Sequence, residues 1–403
     1  MKTFIIAEAG ANHDKNFDQA IKLIDIAKDS GADACKFQTY SSETLYTKNT
    51  PDFAGYRNIN QLIKDIELPR EWQIDLKRYC DEVGIEFMST PFDEQAIYEL
   101  LDIGVKRFKI AGFESTDFRF VEMVASAKLP IIISMGIGFP LEYIGKLYSV
   151  TEKYETEITL LHCNNAYPTP LEDIRLGILN DIKYEMRNYP RIKQMGLSDH
   201  TMSTRTPSIA VAMGASVIEK HFTLGRSLVG PDHPFALEPH ELTEMVSLIR
   251  ETEVMMKTQE SLYSQSETQF KHARRSVVSK VPLKAGDILT RDKITTKRPY
   301  FENNIPASDF ELVIGKKILT TIDEDVSLTL DMVNVDNLTN QEINKDQQII
   351  NQIEKIRARN NVNWMDAVRL AFELDENRAR KIFKDIKECD FLINELLEKL
   401  ADK

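Results

Sequence analysis

Two histidines follow apolar runs of the sequence, where strands of a parallel sheet would end. His200 lies in "GLSDHT", which begins at Gly196, and His221 lies in "SVIEKHF", which begins at Ser216. On neighbouring strands, two imidazoles can converge on one divalent metal and leave positions open for water or substrate. Such a metal would act as a Lewis acid on a carbonyl. The alternative is a histidine hydrogen-bonded within the rim of the sheet, which we would favour for one histidine alone but not for two at matching depth.

Two lysines occupy comparable places in other apolar runs. Lys36 lies in "ACKFQ" and Lys109 lies in "RFKIAG". Burying an ammonium group without a partner is costly, so the pair predicts a bound anion, with phosphate the common one. Hydroxyl groups that could donate to its oxygens follow similar runs, namely Ser89, Thr90, Ser134 and Ser198. In the alternative interpretation, each lysine pairs with Glu8 or Glu114.

Other polar side chains complete this set. Asp232 could hydrogen-bond a polyol from the loop after the last run, although Gly-Pro-Asp is also an ordinary turn. Arg298 has the default interpretation of a solvated charge, and His162, beside apolar neighbours, is predicted to be a satisfied core histidine. The remaining polar residues near the ends of runs are Gln38, Asn165 and Tyr167.

The elements that would position these residues repeat through roughly the first 260 residues. Eight short apolar runs alternate with amphipathic segments such as "DQAIKLIDIAKDSG", in which Gly31 sits at the expected C-cap. Eight such units predict a (β/α)8 barrel, whose active site lies at the C-terminal ends of the strands. A doubly wound open sheet is the second choice, because "EAGANHD" is not the glycine-rich turn that it would normally need. The runs begin at Phe4, Ala34, Glu86, Arg107, Pro130, Thr159, Gln194 and Ser216.

Composition limits the class of protein. The 403 residues carry a formal net charge of -12, which gives no bulk electrostatic reason to bind nucleic acid or anionic membranes. No apolar run approaches the length of a membrane span, and the N-terminal run is too short for a signal peptide. The cysteines Cys35, Cys80, Cys163 and Cys389 are widely spaced, which predicts free thiols in a reducing cytoplasm.

The pattern changes near residue 260. We predict a catalytic barrel over 1–262, a linker over 263–274 and a small, mostly β domain over 275–333. A second linker over 334–345 would precede a helical extension over 346–403, which contains no Pro or Gly. The stretch from Ser41 to Ile66 is a long connection, and is either a binding loop or a surface excursion.

The ordered motifs resemble the sialic acid (N-acetylneuraminate) synthase family. They are "IIAEAGANHD", "GADACKFQT", "FMSTPFD", "KIAGFE", "PIIISMG", "LLHCNNAYPTP", "GLSDHT" and "EKHFTL…GPDH". The stretch "RRSVV…KAGDIL…KRP…IGKKI" resembles the antifreeze-like (SAF) domain attached to these synthases. The resemblance covers about residues 1–333.

This resemblance implies a reaction and a set of roles. Phosphoenolpyruvate would condense with an N-acetylated hexose aldehyde to a nine-carbon 2-keto sugar acid, and phosphate would leave by C–O cleavage. A divalent ion, usually Mn²⁺ with Mg²⁺ or Co²⁺ as alternatives, would be held by His200 and His221. The implied catalytic residues are Glu8, Lys36, Lys109 and Glu114. The implied substrate-binding residues are Gln38, Thr90, Ser134, Asn165, Tyr167, Ser198, Asp232 and Arg298, the last reaching into the partner's barrel of a domain-swapped homodimer.

The chain departs from the family pattern at several positions. Gly112, Met135 and Tyr300 replace a frequent serine, a frequent threonine and the usual glycine. "KIAGFE" and "GPDHPFALEP" are closer to the branch that makes pseudaminic acid. Two other functions stay open: an inactive barrel that serves as a scaffold with a helical docking module, and a related synthase acting on a phosphorylated aldose, which would want a second basic cluster.

Overall fold

The computed structural model describes residues 2–52, 55, 57–258 and 262–334, in two compact units that divide between Thr258 and Gln259. The predicted barrel domain, 1–262, ends near this division. The segment predicted as the first linker, 263–274, contains a 3-10 helix over Gln265–Ala273. The predicted helical extension over 346–403 and all but the first residue of the second predicted linker lie outside the described residues.

The first unit contains all eight predicted strands, in parallel pairing. Their order in the sheet is β3-β2-β1-β8-β7-β6-β5-β4, and β3 lies beside β4 to close it. The prediction of a (β/α)8 barrel is therefore confirmed. The strands are β1 Phe4–Glu8, β2 Ala34–Thr39, β3 Glu86–Pro91, β4 Phe108–Ile110, β5 Ile131–Met135, β6 Ile158–Cys163, β7 Ile192–Asp199 and β8 Val217–His221.

Helices cover the outside of this sheet. Asn16 caps the first helix by accepting a hydrogen bond from the Gln19 amide, and Gly31 follows its end with a φ of +82°, where the sequence predicted the C-cap. Every second residue of the strands points outward, and most of these residues are apolar and pack against the helices in one continuous core. The helices are α1 Phe17–Asp29, α2 Ile59–Ile66, α3 Gln73–Val83, α4 Glu94–Asp102, α5 Phe118–Ser126, α6 Tyr143–Thr151, α7 Ile178–Glu185, α8 Thr206–Ala212 and α9 Pro239–Met255.

The alternation of side chains along each strand decides what enters the barrel. Strand residues that alternate with those of the outer core point into the barrel. At its base they form a smaller apolar cluster: Ile6, Ala34, Met88, Ile132, Leu161 and Val217. Two residues further along the same strands, that side of the sheet becomes polar, as with Glu8 after Ile6 and Lys36 after Ala34. The polar site is thus the upper layer of the barrel interior.

The second unit contains a small antiparallel pair of strands, β9 Ser276–Ser279 and β10 Ile294–Lys297, and a short helix, α10 Phe310–Val313. Isolated bridges such as Leu283 to Ile322 extend the β structure around a separate apolar core. The three described cysteines, Cys35, Cys80 and Cys163, all lie in the first unit and are buried free thiols, as predicted.

Candidate active site

A cavity with about 340 Å³ of empty space, part of it open to solvent, lies at the upper layer of the barrel interior. Strand register brings its residues to one level, because Glu8 pairs with Lys36 on one side and with His221 on the other. Eleven of the predicted site residues line this cavity: Glu8, Lys36, Gln38, Thr90, Lys109, Ser134, Asn165, Tyr167, Ser198, His200 and His221. The eight strands therefore gather residues that the sequence spreads over more than 200 positions.

Four buried charges form the floor of the cavity. Lys36 Nζ lies 2.7 Å from Glu8 Oε2 and 3.7 Å from Glu219 Oε2. Lys109 Nζ lies 3.4 Å from Glu219 Oε1. The alternative interpretation, in which the lysines pair with carboxylates, holds for Lys36 with Glu8. Its other partner, Glu114, is wrong for Lys109, which pairs with Glu219. Two positive and two negative groups balance, so the lysines alone do not demand an anion.

Hydroxyl and amide groups surround this charge cluster. Lys36 donates to Thr90 Oγ1 at 2.9 Å, and Lys109 donates to Ser134 Oγ at 2.8 Å. Ser198 Oγ donates to Glu219 at 3.0 Å. The charged groups are all hydrogen-bonded by neighbours that could turn toward a ligand.

Ser89 is a correction to the predicted set of hydroxyl groups. It is buried on the other side of β3, where its Oγ lies 2.7 Å from Thr39 Oγ1. Side chains alternate along a strand, so Thr90 and Ser89 cannot both face the cavity.

The two carboxylates of the cluster have pKa values shifted in opposite directions. Burial raises the pKa of Glu8, although Lys36 opposes the shift. Burial also acts on Glu219, but the ammonium groups of Lys109 and Lys36 hold its pKa below the usual range. Burial lowers the pKa of Lys109, while Glu219 and Glu8 raise the pKa of Lys36 against the same effect. Glu8 is therefore the member of the cluster that takes up a proton most readily.

The two predicted metal ligands lie side by side across β7 and β8. The ring centroids of His200 and His221 are 5.4 Å apart. Burial lowers the pKa of His200 to about 4, and burial together with His200 lowers the pKa of His221 well below its usual value. Both rings are therefore neutral at pH 7, which is the form that binds metals.

The hydrogen bonds of the two rings fit a metal site. His200 Nδ1 lies 2.6 Å from the carbonyl oxygen of Asn164, so Nδ1 carries the proton and Nε2 keeps its lone pair. His221 Nδ1 is buried without a hydrogen-bond partner. No group of three or more potential ligands occurs in the described part of the chain. Two neutral imidazoles, one with an unsatisfied nitrogen, suit a cation that keeps open coordination positions.

Asp232 reaches the site from the loop after β8. Its Oδ2 accepts a hydrogen bond from the amide of Ala11 at 2.9 Å and lies 3.9 Å from His221 Nδ1. Gly10 makes this approach feasible: its φ is +53°, and a Cβ there would stand 2.4 Å from Asp232 Oδ2. The loops after β1 and β8 therefore meet beside the histidines.

Besides Asp232, two predicted residues do not line the cavity, Glu114 and Arg298. Glu114 follows β4 with a buried, unpartnered Oε2, and burial raises its pKa to about 7. Arg298 belongs to the second unit, where it is exposed. Their roles remain predictions.

Gly112, where the resembled family often has serine, packs against Asn165. A Cβ at Gly112 would lie 2.9 Å from both Asn165 Oδ1 and the Cα of Gly136. Asn165 Oδ1 also accepts a hydrogen bond from the amide of Ile137. A serine side chain at position 112 would displace this amide, so Gly112 and the position of Asn165 belong together.

Sequence reasoning missed Glu219, which contacts both lysines. The signal was present, because Glu219 and His221 are two residues apart on β8 and share a face. The prediction that His162 is a satisfied core histidine is confirmed, because it is buried and bonded to the carbonyl of Ile174. Asp199 points away from the cavity and pairs with Lys220 at 2.6 Å.

The chain is similar in sequence to known proteins. A sequence profile described as the NeuB family matches residues 23–261, and one described as the SAF domain matches residues 274–334. No helix in the described part of the chain is long and apolar enough to cross a membrane.

Individual relatives match most of the chain. The N,N'-diacetyllegionaminic acid synthase of Legionella pneumophila is 36% identical, covering 79% of this chain and 91% of the relative. The pseudaminic acid synthase of Campylobacter jejuni (strain 81-176) is 32% identical, covering 78% and 92%. The structure of N-acetylneuraminic acid (sialic acid) synthetase from Leptospira borgpetersenii, in complex with citrate, has a TM-score of 0.61 and 31% identity, covering 67% and 90%.

Proposed function

This chain belongs to the NeuB family, and we propose that it condenses phosphoenolpyruvate with an N-acetylated hexose aldehyde to give a nonulosonic acid and phosphate. The observation that carries the proposal is the meeting of the Lys36, Lys109, Glu8 and Glu219 cluster with two neutral histidines in one cavity. An anion site and a carbonyl-polarising site are the two parts that this condensation needs side by side.

The lysines and their hydroxyl neighbours form the proposed phosphoenolpyruvate site. Lys36, Lys109, Thr90, Ser134, Asn165 and Ser198 would hold its phosphate and carboxylate groups. The floor has no net charge when both carboxylates are ionised, so binding a polyanion favours the uptake of a proton. Glu8 has the raised pKa of the two and would take it.

The proposed bond changes balance without any further reactant except water. C3 of phosphoenolpyruvate attacks the aldehyde carbon of the sugar, and the aldehyde oxygen becomes a hydroxyl by gaining a proton. Water adds at C2, and phosphate leaves as its C–O bond breaks. Glu8, held by Gln38 at 2.7 Å and by Lys36, would transfer a proton or orient the water.

His200 and His221 would hold the divalent ion, which we propose to be Mn²⁺. When bound, it would polarise the aldehyde oxygen. The carbonyl of Asn164 orients His200, and Tyr167 packs on the same ring at a centroid distance of 4.2 Å. Tyr167, Gln38, Glu114 and Asp232 are the proposed contacts of the sugar.

A substrate panel tests the proposal. Purified protein with Mn²⁺ and phosphoenolpyruvate should release phosphate only when an N-acetylated hexose is added. The panel contains N-acetylmannosamine and diacetamido-trideoxy hexoses, and the product is identified by mass spectrometry. Absence of phosphate release with every sugar would refute the synthase function and favour the inactive scaffold.

The panel also decides the branch. The sequence motifs favoured the pseudaminic acid branch, whereas the identity to the legionaminic acid synthase, 36%, exceeds that to the pseudaminic acid synthase, 32%. The N,N'-diacetyl product in the first name favours a diacetamido sugar. A phosphorylated aldose is less suited, because Lys36 and Lys109 are the only cations that line the cavity in the described part of the chain.

We also propose a domain-swapped homodimer in which Arg298 of each subunit enters the barrel of the other. Support comes from large apolar side chains exposed on loops that follow β4 to β8, around the mouth. Their exposed fractions lie between 43% and 94%: Phe113, Ile137, Tyr167, Leu171, Met202 and Val229. A soluble monomer would leave this apolar ring in water.

A mixing experiment tests the exchange of Arg298. Arg298→Ala and His200→Ala should each be inactive alone. After the two are unfolded and refolded together, about a quarter of wild-type activity should return, because half of the dimers are mixed and each has one complete site. Light scattering should give the mass of a dimer. A monomer mass, or no recovery despite mixed dimers, would contradict the exchange.

A further inference from the structure

A buried row of hydrogen bonds joins the loop after β1 to the loop after β8. Thr223 Oγ1 lies 2.6 Å from His233 Nδ1, and His233 Nε2 lies 3.0 Å from Asp14 Oδ1. His233 and Thr223 are completely buried, whereas 31% of the Asp14 side chain is exposed. The two ring nitrogens of His233 are used in full by these contacts.

The neighbours determine which nitrogen of His233 carries the proton. The carboxylate of Asp14 only accepts, so His233 Nε2 donates to it. Thr223 Oγ1 accepts from the amide of Gly225 at 3.1 Å, and its own hydroxyl then donates to His233 Nδ1. The hydrogen bonds therefore all run in one direction, from Thr223 to His233 and from His233 to Asp14.

This row resembles the acid–histidine–hydroxyl sets of hydrolases, but its burial excludes that chemistry. Thr223 is 0% exposed, and neither Thr223 nor His233 lines the cavity. A nucleophile must reach its substrate, and this hydroxyl cannot. The row therefore acts on structure, through the residues next to it in the chain.

Two of those residues stand beside the paired histidines. Asp232 immediately precedes His233 and places its carboxylate 3.9 Å from His221 Nδ1. Phe235 follows two residues later, with its ring centroid 5.1 Å from that of His221 and 5.2 Å from that of Tyr167. A shift of His233 would move both.

Two more hydrogen bonds tie the same loops together. The amide of Ala11 donates to Asp232 at 2.9 Å, and Asn12 Nδ2 donates to the carbonyl of Phe222 at 2.8 Å. The hydrogen bond from Ala11 acts only over a short distance, so it forms only if Asp232 is held at its present position. His233 sits between these contacts and the surface residue Asp14.

We propose that Asp14, His233 and Thr223 form a latch, with His233 as a positioning residue that sets Asp232 and Phe235 beside His221. The latch fixes the distance between the first and last loops of the barrel mouth, which is where the sugar of the proposed reaction would bind. Its kinetic consequence rests on the proposed function, but its structural consequence does not.

Replacement of His233 by phenylalanine tests the latch, since it removes both hydrogen bonds and keeps a buried ring. His233→Gln is the rescue variant, because its amide nitrogen can still donate to Asp14. His240→Gln is the matched control, because His240 is exposed on α9. Circular dichroism and a thermal melt establish that each full-length variant is folded.

Hydrogen exchange gives the readout that needs no activity. In His233→Phe, the amide of Ala11 and peptides over 225–237 should exchange roughly tenfold faster, the factor expected from the loss of one buried hydrogen bond. His233→Gln should recover most of the protection, and His240→Gln should match the wild type. Wild-type exchange in a folded His233→Phe variant would overturn the proposal.

Kinetics give the second readout. The KM for the sugar should rise roughly tenfold or more in His233→Phe while the KM for phosphoenolpyruvate stays near the wild-type value, because one set of sugar contacts is displaced. Equal changes in both constants, with unchanged exchange at Ala11, would contradict a positioning role. If the wild type is inactive on the whole panel, the proposed function fails, and the exchange experiment still decides the latch.

Discussion

His200→Ala should abolish metal-dependent turnover while the barrel stays folded. The imidazole is one of the two groups that we propose as ligands of the ion, and polarisation of a carbonyl by a metal contributes several kcal/mol to the stabilisation of the transition state. The expected loss in kcat/KM is therefore on the order of a thousandfold or more. His200 directly follows β7 with its ring toward the cavity, so truncation to alanine removes no part of the outer core.

Direct measurement of Mn²⁺ binding separates the metal from the chemistry. Calorimetric titration of the protein without substrates should show weakened or absent binding in His200→Ala and in His221→Ala, with unchanged binding in His240→Ala, an exposed histidine on α9. Phosphate release is measured after treatment with a chelator and again after Mn²⁺ is restored. Full activity of the metal-stripped wild type would contradict the proposal that the two histidines hold a metal needed for turnover.

The barrel was predictable because short apolar runs and amphipathic segments alternate regularly along the sequence. Most residues of the runs between Phe4 and His221 are buried on both faces of the sheet, and such runs in alternation with amphipathic helices are compatible with few architectures. The same regularity located Lys36 and His221 at one level, because strand ends in a parallel barrel share an edge.

Pairing inside the barrel was not predictable in the same way. The alternative interpretation offered Glu8 or Glu114 as the partner of Lys109 on β4, but Lys109 meets Glu219 on β8, across the barrel interior. Contacts of this kind depend on which side chains share a layer in three dimensions, and proximity in sequence gives no guide to them. The prediction for Ser89 has a related error, because Ser89 is next to Thr90 in the sequence but faces outward from the barrel.

Lys109→Met should remove anion binding and also destabilise the fold. Methionine is unbranched like lysine and only one atom shorter, but Glu219 loses the ammonium group at 3.4 Å and keeps that of Lys36 at 3.7 Å. Removal of one partner of a buried ion pair costs about 3–5 kcal/mol, because the other charge stays buried. Turnover should fall by roughly a thousandfold or more if this ammonium stabilises the phosphate in the transition state.

Three measurements follow this variant. Urea unfolding reports the free energy of unfolding, calorimetry reports the affinity for phosphoenolpyruvate and inorganic phosphate, and phosphate release reports turnover. Lys106→Met is the matched control: it lies three residues earlier, is exposed, and should leave all three quantities at wild-type values.

The double variant Lys109→Met, Glu219→Gln separates the structural role of Lys109 from its role in binding. It removes one positive and one negative charge from the buried cluster and leaves the Lys36 to Glu8 pair at 2.7 Å. Most of the lost unfolding free energy should therefore return, since no charge is left without a partner. Anion binding should stay weak, because one ammonium group is still missing. Recovery of both stability and phosphoenolpyruvate affinity would mean that Lys109 serves only to balance Glu219, and the anion site would have to be sought elsewhere in the barrel mouth.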